Sequence, residues 1–217
     1  MRLAPEGWPF LVAGWSLVAL GVWAGSRWGG WLWIVEAALV LVAVWLVVFF
    51  RDPLRPGPRG DQLVIAPADG RVVAIAAAEE PVYVKGPATR VSIFMNVFDV
   101  HVNRYPASGA VELVTYHPGK FLHAAHDKAS LDNEQASVGI RTAHGPVLVR
   151  QIAGLVARRI VTDARPGAAA RQGERMGIIR FGSRVDIFLP AGARPQIRVR
   201  EGERVAAGRT VLAEYGS

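Results

Sequence analysis

Hydrophobic positions in this chain follow two regimes. Up to residue 50 they run together, as Pro9–Gly25 and Trp31–Phe50, with the polar turn Ser26-Arg27-Trp28-Gly29-Gly30 between them. From residue 62 they come in short bursts separated by turn residues. The second long run holds 20 residues, which as a helix spans roughly 30 Å, one hydrocarbon core. The first run sits at the lower edge of what can span. A secretory signal would need a small-x-small cleavage site before a mature start, and here another apolar run comes at once. The pattern therefore predicts a membrane-anchoring helical hairpin over residues 1–50.

Trp8, Trp28, Trp31 and Trp33 fall near the ends of the two runs, where indole rings favour the membrane interface. Glu36 is the one carboxylate inside them, and either an interfacial position or a pair with Arg27 would accommodate it. Residues 51–61 read as a linker. Three prolines and two glycines lie within Arg51-Asp52-Pro53-Leu54-Arg55-Pro56-Gly57-Pro58-Arg59-Gly60, and such a stretch cannot continue a helix. Arg51, Arg55 and Arg59 directly after the second run favour a cytoplasmic face for residues 51–217.

Residues 62–217 read as mainly β, a β-sandwich or barrel-like domain, α+β in detail. The expected strands are Gln62–Ala66, Arg71–Ala77, Val82–Lys85, Arg90–Val97, Val111–Tyr116, Ser137–Arg141, Val147–Ile152, Val185–Leu189, Gln196–Arg200 and Thr210–Glu214. Alternation is clearest in Arg90-Val91-Ser92-Ile93-Phe94 and Arg184-Val185-Asp186-Ile187-Phe188. One helix is expected around Ala124–Gln135.

Composition narrows the function classes. There is no cysteine, so disulfides, thiolate metal sites and a cysteine nucleophile are excluded. The net charge of +7 belongs wholly to residues 51–217, and it would draw that part towards anionic lipid head groups. A basic balance alone does not make a nucleic-acid binder, and no recognition helix or aromatic stacking motif accompanies it. A zinc peptidase would need a His-x-His pair with further ligands, whereas the closest histidines, His123 and His126, are spaced for a helix face. The Val199–Gly208 tail resembles the turn of biotinyl carriers, but no lysine follows Lys128.

Four segments could carry chemistry. Ala66-Pro67-Ala68-Asp69-Gly70 places an aspartate in a turn between strands. Phe98-Asp99-Val100-His101-Val102-Asn103-Arg104-Tyr105-Pro106 holds a histidine. Gln151–Ile160 carries Arg158 and Arg159 among apolar residues. Gly173–Asp186 includes Arg180-Phe181-Gly182-Ser183-Arg184-Val185-Asp186. Singly each is commonplace.

In this order they resemble the phosphatidylserine decarboxylase family in its short bacterial and archaeal form. The resemblance runs from Phe50-Arg51-Asp52-Pro53 to the Val205-x-x-Gly208 tail. It includes Phe94–Arg104, Asp127-Lys128-Ala129-Ser130 and Asn133-Glu134. It implies a proenzyme that cuts itself between Gly182 and Ser183, leaving a β chain of 1–182 and an α chain of 183–217 as a heterodimer. Ser183 would become a covalent pyruvoyl cofactor that forms a Schiff base with phosphatidylserine and yields phosphatidylethanolamine and CO2. No metal is implied.

Family members use an Asp–His–Ser arrangement. Asp69 matches its aspartate, and His101 is the first choice of base. Long members carry two histidines three residues apart, where this chain has His101 and Arg104, so His117, His123, His126 and His144 stay open. Arg104, Arg158 and Arg159 are candidates for the head-group phosphate. The resemblance also implies a membrane location and allows a homodimer. Archaetidylserine or another serine phospholipid is an alternative substrate, and a non-catalytic membrane-tethered β scaffold is the alternative of another class.

Overall fold

The computed structural model describes residues 2–119, 133–154, 159–180 and 183–216. The chain divides into two compact units, residues 1–54 and 55–217.

The first unit is a helical hairpin. Helix α1, Trp8–Trp28, and helix α2, Leu32–Phe49, reverse through Gly29 and Gly30. Along α1 the half-buried or buried positions Gly7, Leu11, Gly14, Val18, Gly21 and Gly25 recur at alternating steps of four and three. Their counterparts are Leu32, Glu36, Leu39, Ala43, Leu46 and Phe50. This is the repeat of a left-handed helix pair, and its glycines let the backbones approach. A Cβ on Gly14 would lie 3.2 Å from the Leu46 side chain. Away from this seam the surface is apolar and exposed, with Trp15, Leu20, Trp23, Ile34 and Leu41 among its residues. Both helices are long and apolar enough to cross a membrane.

Glu36 lies on the seam, buried against Gly21, and neither carboxylate oxygen has a hydrogen-bond partner among the described residues. The expected alternative of a pair with Arg27 is not what the seam shows. Strands β1 (Arg2–Leu3) and β2 (Arg51–Asp52) pair antiparallel and close the open end of the hairpin.

The second unit is mainly β in its described residues, with one short 3-10 helix over Ala191–Ala193. Its strands are β3 (Leu63–Ile65), β4 (Gly70–Glu80), β5 (Gly86–Met95), β6 (Val102–Arg104), β7 (Gly109–His117), β8 (Gln135–Thr142), β9 (Gly145–Ala153), β10 (Arg159–Thr162), β11 (Ala169–Ala170), β12 (Arg175–Arg180), β13 (Ser183–Pro190), β14 (Gln196–Ile197), β15 (Arg204–Val205) and β16 (Val211–Glu214). One antiparallel sheet runs β11-β7-β8-β9-β13-β5-β4-β15; two smaller sheets run β10-β12-β6 and β14-β16-β3. The mainly β class and the hydrophobic helical pair both match the expectation from the sequence.

Alternation sets the faces of the large sheet. Val91, Ile93 and Met95 of β5, Val185, Ile187 and Leu189 of β13, and Val147, Val149 and Ala153 of β9 all point inward. Ile160, Ile179 and Met176 from one small sheet, and Leu212 and Ala213 from the other, complete the same core. The opposite face of β13 carries Arg184 and Asp186, a buried pair with Nε to Oδ1 at 2.8 Å and Nη2 to Oδ2 at 2.9 Å.

Two expectations need correction or restriction. Val82–Lys85, expected as a strand, is a turn. The buried Glu80 accepts the N–H groups of Tyr83 and Val84 at 2.8 and 2.9 Å, and Lys85 is left-handed at φ 56°. A local carboxylate cap thus overrides β propensity. The helix expected over Ala124–Gln135 lies outside the described residues except for its end, where Gln135 opens β8.

Candidate active site

Ser183 is the first residue of β13, directly between Met95 on β5 and Ala153 on β9. It is completely buried, with its Oγ donating to Met95 Sδ at 3.3 Å. A thioether is a weak acceptor, so the hydroxyl is oriented without being strongly held. Ala153 is fixed on both sides: its N–H donates to the Glu134 carbonyl at 2.9 Å, and its carbonyl accepts from Asn133 Nδ2 at 2.7 Å. Gly182 lies outside the described residues.

The loop after Met95 is built by its own side chains. Asn96 N–H donates to Asp99 Oδ2 at 2.9 Å and Phe98 N–H to Asn96 Oδ1 at 2.8 Å, two short-range turns that reverse the chain. They deliver His101 into the interior, where it is fully buried. Its Nδ1 lies 3.0 Å from the Asp99 carbonyl. A carbonyl can only accept, so in the neutral ring Nδ1 carries the proton and the lone pair is on Nε2. The Ile179 N–H reaches the His101 carbonyl at 3.4 Å, tying this loop to the strand that leads towards Ser183.

Two residues beyond His101, Asn103 is also wholly buried. Its Nδ2 lies 3.7 Å from the same Met95 sulfur, and its Oδ1 accepts from Gln151 Nε2 at 2.7 Å. Met95 and Asn103 fall inside the Phe94–Arg104 block and Gln151 heads the Gln151–Ile160 segment, but nothing in the sequence singles out any of the three within its segment.

Asp69 lies in the bend before β4, two strands from β13 and so about 10 Å across the ladder. Its Oδ2 meets Arg55 Nη2 at 2.5 Å, and its Oδ1 accepts the Ala207 N–H at 2.8 Å. The contacts described for Asp69 therefore run to the chain before the domain and to its tail. Those of His101 run to Asp99 and Ile179, and that of Ser183 to Met95.

The remaining candidates are dispersed. Arg104 is buried, its Nη1 donating to the Gly173 carbonyl at 3.1 Å. Arg159 opens β10, exposed and directly opposite Arg180. Arg158, His123 and His126 lie outside the described residues. His117 ends β7, exposed, opposite Gln135. His144 stacks on Tyr215 with centroids 4.5 Å apart. It sits at the turn of the β8–β9 hairpin, whereas Ala153 beside Ser183 is at the other end of β9, roughly 27 Å along the strand. Among the described residues, no three acidic or histidine side chains converge as a metal site.

Ser183 thus heads a central strand fully buried, and His101 is fully buried with its ring oriented by the Asp99 carbonyl. The family model for phosphatidylserine decarboxylase matches residues 42–213, and the chain belongs to that family. The activity of the family is decarboxylation of phosphatidylserine, a lyase reaction of phospholipid metabolism.

Proposed function

We propose that this chain is a proenzyme that cuts itself between Gly182 and Ser183 and then decarboxylates phosphatidylserine to phosphatidylethanolamine and CO2 with a pyruvoyl group made from Ser183. The observation that carries this reading is the place of Ser183: the first residue of a central strand, fully buried, its hydroxyl bonded only weakly to Met95.

Self-cleavage needs no outside reactant but water. The Ser183 Oγ gives up its proton and attacks the Gly182 carbonyl carbon, moving the acyl group from nitrogen to oxygen. β-Elimination then releases Gly182 as a carboxylate and leaves dehydroalanine at residue 183. Water replaces its nitrogen, ammonia leaves, and a pyruvoyl group caps residues 183–217. His101 Nε2 is the base proposed for the serine proton, supported by the tautomer that the Asp99 carbonyl imposes. Asp69 is proposed as the acidic member of the arrangement. Its anchorage by Arg55 and Ala207 would hold the start of β4 in place around the site.

The interior around residue 183 fits such a group, since Met95, Ala153 and Val185 surround it with apolar, fully buried side chains. A pyruvoyl carbonyl supplies an attachment point for an amine and a sink for the electrons released as CO2 departs. His101 would hold the proton delivered to carbon afterwards. Exclusion of water by the apolar wall would favour loss of the carboxylate's charge. Arg158 and Arg159 are proposed to hold the head-group phosphate; Arg104, opposite Arg175 at the far end of β12 from Arg180 and Arg159, is too distant to share it.

After cleavage the two pieces would stay joined as a heterodimer, because β13 of the smaller piece pairs residue by residue with β5 and β9 of the larger. The hairpin would keep the enzyme in the membrane with its lipid substrate, the catalytic domain on the cytoplasmic face. The test is release of labelled CO2 from carboxyl-labelled phosphatidylserine in detergent micelles. The wild-type chain is expected to release it and the Ser183→Ala chain not to; equal release by both would overturn the reading.

A further inference from the structure

Gln151 interrupts an apolar row. The inward positions of β9 are Val147, Val149, Gln151 and Ala153, and Gln151 faces Val185 on one side and Ala136 on the other. It is wholly buried. Its Nε2 donates to Asn103 Oδ1 at 2.7 Å, and its Oε1 has no hydrogen-bond partner among the described residues. An unpartnered buried acceptor is costly, and an apolar residue would fill this row without that cost.

The orphan oxygen is close to the reactive position. Gln151 is the diagonal cross-strand neighbour of Ser183, with Cα atoms roughly 7–8 Å apart and both side chains on one face. The link through Asn103 joins the two, because Asn103 Nδ2 and Ser183 Oγ lie 3.7 and 3.3 Å from the same Met95 sulfur.

We propose that Gln151 Oε1 accepts an N–H from the amino group of the serine phospholipid and so sets its nitrogen against residue 183. This rests on the pyruvoyl reading above and adds to it the residue that recognises the amine. The amide chemistry matters. A carboxylate here would attract the amine more strongly but would favour its protonated form, which has no lone pair to give. A neutral acceptor orients the nitrogen and leaves the lone pair available. Asn103, by holding Gln151 Nε2, turns Oε1 towards the incoming group.

The experiment uses the full chain in detergent, as wild type, Gln151→Met and Gln151→Glu. Borohydride alone first reports the pyruvoyl carbonyl, as a gain of two hydrogens on fragment 183–217 in intact-mass spectra. Dihexanoyl phosphatidylethanolamine, an amine without the carboxylate and therefore not turned over, is then titrated with cyanoborohydride, and the adduct mass on that fragment is tracked. Gln151→Met is expected to require roughly tenfold more amine for half-trapping. Gln151→Glu is expected to trap well only at higher pH, its midpoint raised by about one unit.

Equal titrations for all three chains would overturn the role of Gln151 while leaving the pyruvoyl reading in place. Loss of cleavage in both variants would also overturn it, since the amide would then serve maturation. A wild-type chain with no reducible carbonyl would overturn the pyruvoyl reading and this inference with it.

Discussion

Ser183 and Met95 stand directly opposite each other at the ends of β13 and β5, and the serine hydroxyl donates to the methionine sulfur across 3.3 Å. The bond is weak enough to break without much cost, yet it selects a rotamer. Met95→Leu should therefore preserve the core, costing less than about 1.5 kcal/mol because volume is conserved. Self-cleavage should slow by a few-fold, roughly the loss of one weak hydrogen bond. Urea unfolding of the uncleaved Ser183→Ala background measures the first quantity, and the time course of chain splitting measures the second.

Gly70 tests whether Asp69 and β4 must sit where they do. Its φ is +149°, and a Cβ there would meet the Phe94 carbonyl oxygen. That neighbour is backbone and cannot rotate away. Gly70→Ala is expected to destabilise the domain by about 3 kcal/mol and to slow cleavage sharply. Gly192→Ala, where nothing lies within 4 Å of the new atom, is the matched control and should leave both unchanged.

What could be read beforehand depended on where polar residues fall. Val185–Leu189 and Arg90–Val97 were legible because polar residues such as Arg184, Asp186, Arg90 and Ser92 alternate with apolar core positions, although β13 is buried on both faces. By contrast Gly177, Ile178 and Ile179 of β12 have no polar residue between them, so no alternation marks them, and β6 and β15 are too short to show a period. Val82–Lys85 looked like a strand because its residues favour one, and only the Glu80 carboxylate makes it a turn. At the candidate site, motif order points to the serine and the histidine. It does not single out Gln151 or Asn103, whose link is a contact between two sheets.

The helical hairpin has its own test, made simple by the absence of cysteine. A Cβ on Gly14 would lie 3.8 Å from the Ala43 Cβ, within the range a disulfide spans. The Gly14→Cys/Ala43→Cys chain is expected to cross-link within itself under mild oxidation in membranes. A pair at the exposed positions Leu20 and Leu41 should not. Intact mass, which falls by two hydrogens on bond formation, reads the difference.

Alkaline stability should depend on Tyr215. Burial pushes its phenol up to about 12 from the ordinary 10.0, and its hydroxyl has no hydrogen-bond partner among the described residues. Between those values the unfolded chain has lost a proton that the folded chain still holds, so stability must fall as pH rises through that window. Tyr215→Phe removes this contribution. At neutral pH it should be neutral to stabilising by about 1 kcal/mol, since no bond is broken. Thermal midpoints of the two chains should diverge further as pH is raised from about 9 to about 11, with the variant ahead; parallel curves would contradict the assignment.

The central claim is that Ser183 becomes the reactive group by cutting the chain in front of it. Intact-mass spectrometry of the purified protein beside its Ser183→Ala variant tests this most directly. Two chains are expected from the wild type, residues 1–182 and a pyruvoyl-blocked 183–217, and a single uncut chain from the variant. A wild-type protein that remains one chain of 217 residues after reconstitution in membranes would contradict it.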